Sequence, residues 1–176
     1  MSTTRPEAAS QADLDAVQAQ LGRVPRGVAA VAHRCPCGHP DVLTTEPRLA
    51  DGTPFPTTFY ATCPRLTGAI STLETSGLMR EMTERLGQDP DLASRYAAAH
   101  GDYLGRRAAL GEVSEIAGIS AGGMPTRVKC LHVLVAHSLA AGPGVNPLGD
   151  EALELLGEWW AAGSCVSDGP PVGGDG

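Results

Sequence analysis

At Pro64 the spacing of apolar side chains changes, and this change restricts the folds open to the chain more than any other feature. Upstream, Val28 to His33, Asp41 to Thr45 and Thr57 to Thr62 are short runs with β-branched and aromatic residues. The Cys35-Pro36-Cys37-Gly38 turn separates the first two, and a loop from Glu46 to Pro56 with three prolines precedes the last. Such runs predict three strands, within residues 28–62, paired as a small antiparallel sheet. Downstream the period is helical. Leu66, Ile70 and Leu73 form one stripe, Gly77 breaks it, and Leu78, Met82 and Leu86 form the next, with Arg80/Glu84 and Glu81/Arg85 pairs outside. Asp89 then caps a longer helix with Pro90 at its first position.

The expected fold class is therefore α+β and helix-dominated, with about three antiparallel strands packed on five or six helices. Residues 11–22 predict a first helix with Leu14, Val17 and Leu21 on one face, stopped by Gly22. Residues 111–122 are expected to be a connection. Pro125 should open a helix running to about Ala141, which Gly142-Pro143-Gly144 ends, and a last helix starts at Asn146-Pro147 or Gly149-Asp150. Aromatics make up only 4% of the chain, so Leu, Val, Ala and Met must fill the core, which suits closely packed helices. A length of 176 residues fits one globular domain, placed at 11–163 between disordered ends at 1–10 and 164–176.

A net charge of −7 argues against generic affinity for nucleic acid or anionic membrane. No run of about 18 apolar residues occurs, and the first twenty residues lack a basic start and apolar stretch, so a cytoplasmic protein is expected. In that compartment five cysteines read as thiols or metal ligands rather than a disulfide framework.

These cysteines carry the chemistry. Cys63 precedes Pro64 at a strand-to-helix junction, where free N–H groups and the helix dipole favour a thiolate. On a helix from Pro125, Cys130 and His137 lie seven residues apart and point within about 20° of one direction. Adding Cys35 gives a Cys, Cys, Cys, His set, an ordinary composition for tetrahedral zinc, with Cys35, Cys63, Cys130 and His137 as ligands. His33 and His39 flank the cysteine turn as substitutes, and Cys165 falls in the tail as incidental. Gly122-Gly123 leading into Pro125 suggests an anion site formed by Arg127, Lys129 and His132; Lys129 is the only lysine in the chain. Leu92, Tyr96, Ala99, Tyr103, Arg106 and Leu110 alternate four and three apart, a stripe for a partner helix within the domain, in a protein partner or across a homodimer.

Several segments resemble the bacterial, mostly actinobacterial, family called domain of unknown function 501. They are Arg34-Cys35-Pro36, the stretch from Asp51 to Thr57, Thr62-Cys63-Pro64-Arg65-Leu66, GGMPTRVKCLHVLVAH from Gly122 to His137, and GPGVNPLGD from Gly142 to Asp150. The resemblance covers roughly residues 11–166 and implies shared roles for Cys35, Cys63, Cys130, His132 and His137, with Cys37 a departure. It implies no activity, and it sets the genes near those for enolase, a septum-formation initiator and an exopolyphosphatase. Three readings stand: a zinc-stabilised binding or regulatory protein; an enzyme on a phosphorylated or anionic small molecule, with Cys63 or Cys130 as nucleophile and His132 as base; and a protein-binding module linked to cell division.

Overall fold

A computed structural model describes residues 6–166. Helix α1 (Gln11–Leu21) starts where Ser10 Oγ accepts the Asp13 N–H at 3.1 Å while Asp13 Oδ2 accepts the Ser10 N–H at 3.0 Å, a reciprocal cap. Strands β1 (Val28–Arg34), β2 (Pro40–Thr45) and β3 (Phe59–Ala61) form one antiparallel sheet in the order β1-β2-β3. Val31 faces Leu43, and Leu43 faces Tyr60. The third strand is shorter than residues 57–62 because the Thr58 N–H leaves the ladder to bond Tyr103 Oη at 2.7 Å. Helices α2 (Pro64–Glu74), α3 (Leu78–Gln88) and α4 (Pro90–Ala108) follow, then α5 (Leu131–Ala141) and α6 (Pro147–Leu156). Among the described residues, six α-helices and a three-stranded antiparallel sheet make this the expected helix-dominated α+β fold. Among the described residues, no helix is long and apolar enough to cross a membrane.

Helix α5 sits at the centre. Leu131 and every residue from Val133 to Ser138 are buried, and α6, β3 and α2 surround it. A helix apolar on all faces has nowhere else to go.

Four expectations need correction. The helix does not open at Pro125: residues 122–126 form turns, with Gly122 and Gly123 at φ 69° and 94°. The Lys129 N–H bonds Gly122 O at 2.7 Å, and a Cβ on Gly123 would lie 2.7 Å from Arg127 O, so only glycine fits this fold-back. Helix α5 begins only after Cys130, whose backbone is extended at φ −153°.

Second, the α4 stripe faces inward. Leu92, Tyr96, Ala99 and Tyr103 are buried in the core, the within-domain alternative, but Arg107 rather than Arg106 continues them. Buried Arg107 donates to Pro56 O at 3.1 Å, to Ile116 O at 2.7 Å and to Ile119 O, pinning the connection that follows α4. Arg106 points outward to Asp102.

Third, order begins ahead of residue 11. Glu7 pairs with Val31 and with Arg34, which also grips Asp13 at 2.8 and 2.9 Å. Fourth, the tail is not loose at its start, because Cys165 is buried. The remainder of the segments expected to be disordered, 1–5 and 167–176, lies outside the described residues.

The GPGVNPLGD segment is structural. Asn146 Oδ1 accepts the Gly149 N–H at 3.0 Å to cap α6, and a Cβ on Gly149 would stand 2.3 Å from Leu134 O. Gly149→Ala should therefore destabilise the protein by about 1–3 kcal/mol in urea denaturation, because helices α5 and α6 must separate. Gly101→Ala, in the exposed middle of α4 where a methyl meets nothing within 4 Å, should stabilise it by up to about 1 kcal/mol.

Candidate functional site

Two clusters of metal-ligating side chains emerge, one at each end of α2. The first begins in the turn after β1, where the Cys35 N–H bonds His39 O at 2.9 Å and the Gly38 N–H bonds Cys35 O at 2.8 Å. Gly38, at φ 97°, lets this turn reverse tightly enough to aim the sulfurs of Cys35 and Cys37 inward. Cys63 is the N-cap of α2 and is fully buried. Its sulfur and those of Cys35 and Cys165 all lie within 4.8 Å of one another. Cys37 Sγ lies 2.9 Å from Cys165 Sγ. Thus three sulfurs meet in one place, and Cys37 adjoins them through Cys165.

The segment that delivers Cys165 is held on both sides. Arg65 Nε donates to Ser164 O at 2.8 Å, and Gln20 Nε2 donates to Cys165 Sγ at 3.3 Å and to Pro40 O at 2.8 Å. Burial pushes the Cys35 thiol up to about 11 and raises that of Cys165. Cys37 falls to about 7: burial opposes ionisation, but the Cys165 thiol and the amides of Cys165 and His39 outweigh it. A sulfur-rich pocket with such opposed tendencies suits a cation, which would offset the cost of several buried thiolates at once.

The second group lies at the other end of α2. Cys130 is the N-cap of α5, and Cys130, His132 and Glu74 place a sulfur, a ring nitrogen and a carboxylate oxygen within 4.8 Å of one another. Glu74 Oε1 stands 3.0 Å from His132 Nδ1 and accepts the Leu131 N–H at 2.8 Å. Burial alone would raise the Cys130 thiol, yet His132 and the Val133 amide bring it below the ordinary value. Cys130 and, against the cost of burial, Glu74 push the His132 imidazole up to about 9.

The predicted ligand set is thereby divided. Cys35 and Cys63 do come together, but Cys130 joins Glu74 and His132 instead. The seven-residue relation between Cys130 and His137 fails because Cys130 precedes the helix. His137 belongs to neither group. It is wholly buried, with Nε2 donating to Asp102 Oδ2 at 2.8 Å and Nδ1 accepting from Asn146 Nδ2 at 3.2 Å. Its ring stacks on Phe59 and meets Tyr103 edge-on. Both nitrogens are thus satisfied by the core, and the residue does structural work.

The anion site also changes. The N–H groups of Met124, Arg127 and Lys129 bond within their own loop and that of Val128 bonds Thr83 Oγ1, so no row of free amides awaits an anion. Arg127 and Lys129 remain exposed in an open groove that Cys130 also lines, whereas His132 turns away to Glu74. His33 bonds Asp41 at 2.7 Å rather than joining the sulfurs.

Sequence reasoning missed Cys165, Cys37 and Glu74. Only the adjacent Trp159-Trp160 pair, an apolar anchor just before Cys165, hinted that this segment docks. Nothing local marks Glu74, whose role depends on where α2 meets α5.

Imidazole titration followed by NMR checks this division. Burial lowers the folded value of His137, against the opposing pull of Asp102, so the unfolded chain takes up that proton first; stability should fall as pH drops below about 6.5. His132 behaves oppositely. Its contribution should be complete below about 6.5 and be lost as pH rises through about 9. The expected spectra show His137 neutral at a pH where His132 is still charged.

Among known proteins, no curated sequence and no solved structure matches the chain. A match to the family described as "Protein of unknown function (DUF501)" spans residues 31–154, which takes in every residue of both groups except Cys165. With well over half its length inside that match, the chain belongs to the DUF501 family.

Proposed function

We propose that the chain is a zinc-stabilised binding or regulatory protein in which Cys35, Cys37, Cys63 and Cys165 hold the ion. One observation carries this: a hairpin turn, a helix start and a segment about a hundred residues later deliver sulfurs to a common point. An all-sulfur donor set is one that zinc prefers. Tetrahedral zinc with bonds of about 2.3 Å separates its sulfurs by about 3.8 Å. The three buried sulfurs are already within 4.8 Å of each other, and the Cys37–Cys165 separation of 2.9 Å needs to open by about 1 Å. The Gln20 amide donating to Cys165 Sγ supplies the outer support that a metal-bound thiolate needs. Four sulfurs close the coordination sphere, so the ion would hold segments together and leave no position for a substrate.

Elemental analysis of untagged protein should find about one zinc per chain, and less than about 0.2 would overturn the reading. Cys165→Ser and Cys63→Ser should each lose most of the metal and lower the melting temperature. Cys130→Ser should keep its full metal content, which separates this set from one that includes Cys130 and His137.

A further inference from the structure

Between α2, α5 and the edge strand β3 lies an open cavity of about 500 Å³, with Leu21, Phe59 and Tyr60 among its apolar walls and Cys130 and His132 at its margin. Cys130 stands at the N-cap of α5, where the Val133 amide favours a charge on its sulfur. His132 has an acceptor at each ring nitrogen: Glu74 Oε1 is 3.0 Å from Nδ1, and Thr67 O is 3.3 Å from Nε2. Ser71 Oγ, 3.4 Å from Nε2, accepts as readily as it donates, so the surroundings accommodate both nitrogens protonated, an imidazolium. The Leu131 N–H fixes the same Glu74 oxygen from a second side. A cation so held beside a thiol at a helix start is the arrangement that makes sulfur nucleophilic.

We propose that Cys130 is a catalytic thiolate, paired with the His132 imidazolium that Glu74 positions, and that it accepts acyl groups from esters or thioesters whose leaving group is anionic. Leu21, Phe59 and Pro64 offer an acyl chain an apolar side of the cavity, with Gln20, Thr57 and Thr67 on its polar side. Cys130 also lines the neighbouring groove with Arg127 and Lys129, which gives the leaving group its cationic ground. In the first step the Cys130 Sγ electron pair bonds to the acyl carbon. The bond from that carbon to the leaving oxygen or sulfur breaks, and the departing group takes a proton from His132. Water then attacks the acyl carbon while neutral His132 takes its proton. The carbon–Sγ bond breaks, a carboxylic acid leaves, and the ion pair is restored. The site shares no residue with the four-sulfur set, so it stands whether or not that set holds zinc.

The full chain, purified with whatever metal it carries, is alkylated with iodoacetamide across pH, and the modified cysteine is mapped by peptide mass spectrometry. Cys130 should ionise with a midpoint clearly under the ordinary value of about 8.5. His132→Gln should raise that midpoint and slow alkylation near neutrality by about tenfold or more. Glu74→Gln should lower the pH at which His132 loses its proton, read by NMR, an effect that a merely structural carboxylate would not produce in a variant with unchanged near-ultraviolet circular dichroism. p-Nitrophenyl acetate should leave one acetyl group per chain on Cys130 in a rapid burst, absent in Cys130→Ser. Acetyl-coenzyme A should turn over faster than a neutral acetyl thioester, and Arg127→Gln with Lys129→Gln should erase that preference. An ordinary midpoint at Cys130, no acetyl on it, or alkylation that begins only after a chelator is added would each overturn the proposal, the last by making Cys130 a metal ligand. Equal turnover of the charged and neutral thioesters would overturn the anionic leaving group. Should His132→Gln fail to fold, the His132 titration in Glu74→Gln and the Cys130→Ser burst decide the matter.

Discussion

Helix α5 has no face it can show to water, and the rest of the molecule is arranged around that fact. Its apolar side chains require cover on every side, which α6, β3, α2 and the sheet behind β3 supply. Its two buried polar side chains require partners in the same places. His137 finds Asp102 and Asn146, and Ser138 donates to Asn146 O at 3.2 Å. Asn146 thus serves three ends: it caps α6, supports the His137 ring and accepts from Ser138. Gly149 allows α6 to approach closely enough for this to happen. The same embedded helix presents its first turn at the molecular margin, where Cys130 and His132 are held.

Elements whose signal is local were legible in the sequence. The Gly22 stop, the Asp89-Pro90 start, the stripe from Leu66 to Leu73 and the three β-rich runs all form where their periods and caps indicate. Errors arose where a distant partner decides. Pro125 resembles a helix start, yet two left-handed glycines turn the chain back there, and five more residues pass before α5 begins. The α4 stripe was correctly seen as a packing face, but its spacing does not say whether the partner lies inside the chain or outside. Arg107 took the inward place expected for Arg106 because the carbonyls it serves belong to a loop with no period of its own.

The candidate site was half legible for the same reason. Cys63 at the start of α2 and Cys130 beside His132 are sequence-local facts. The pairing of thiols across more than a hundred residues is a tertiary fact, and so is the contribution of Glu74. The helix angle that joined Cys130 to His137 was sound geometry applied to a helix that starts after the first of them. What survives is the choice of residue types. Sulfur and imidazole do gather in this chain, but as two groups with different donors: one buried and nearly all sulfur, the other mixed and open to a cavity.

The position of Cys165 has a bearing on how the molecule is made. It meets Cys35, Cys37 and Cys63 only after all six helices have been synthesised, so a chain emerging from the ribosome carries three of the four thiols through most of its translation without the fourth. The hairpin turn and the start of α2 can meet early, since under thirty residues separate Cys35 from Cys63. Closure of the group waits for the last described segment, and its sulfurs stay open to cellular oxidants and stray metal ions for that interval. Arg65 and Gln20, which receive the arriving segment, are in place before it, so the late arrival docks onto a surface already prepared.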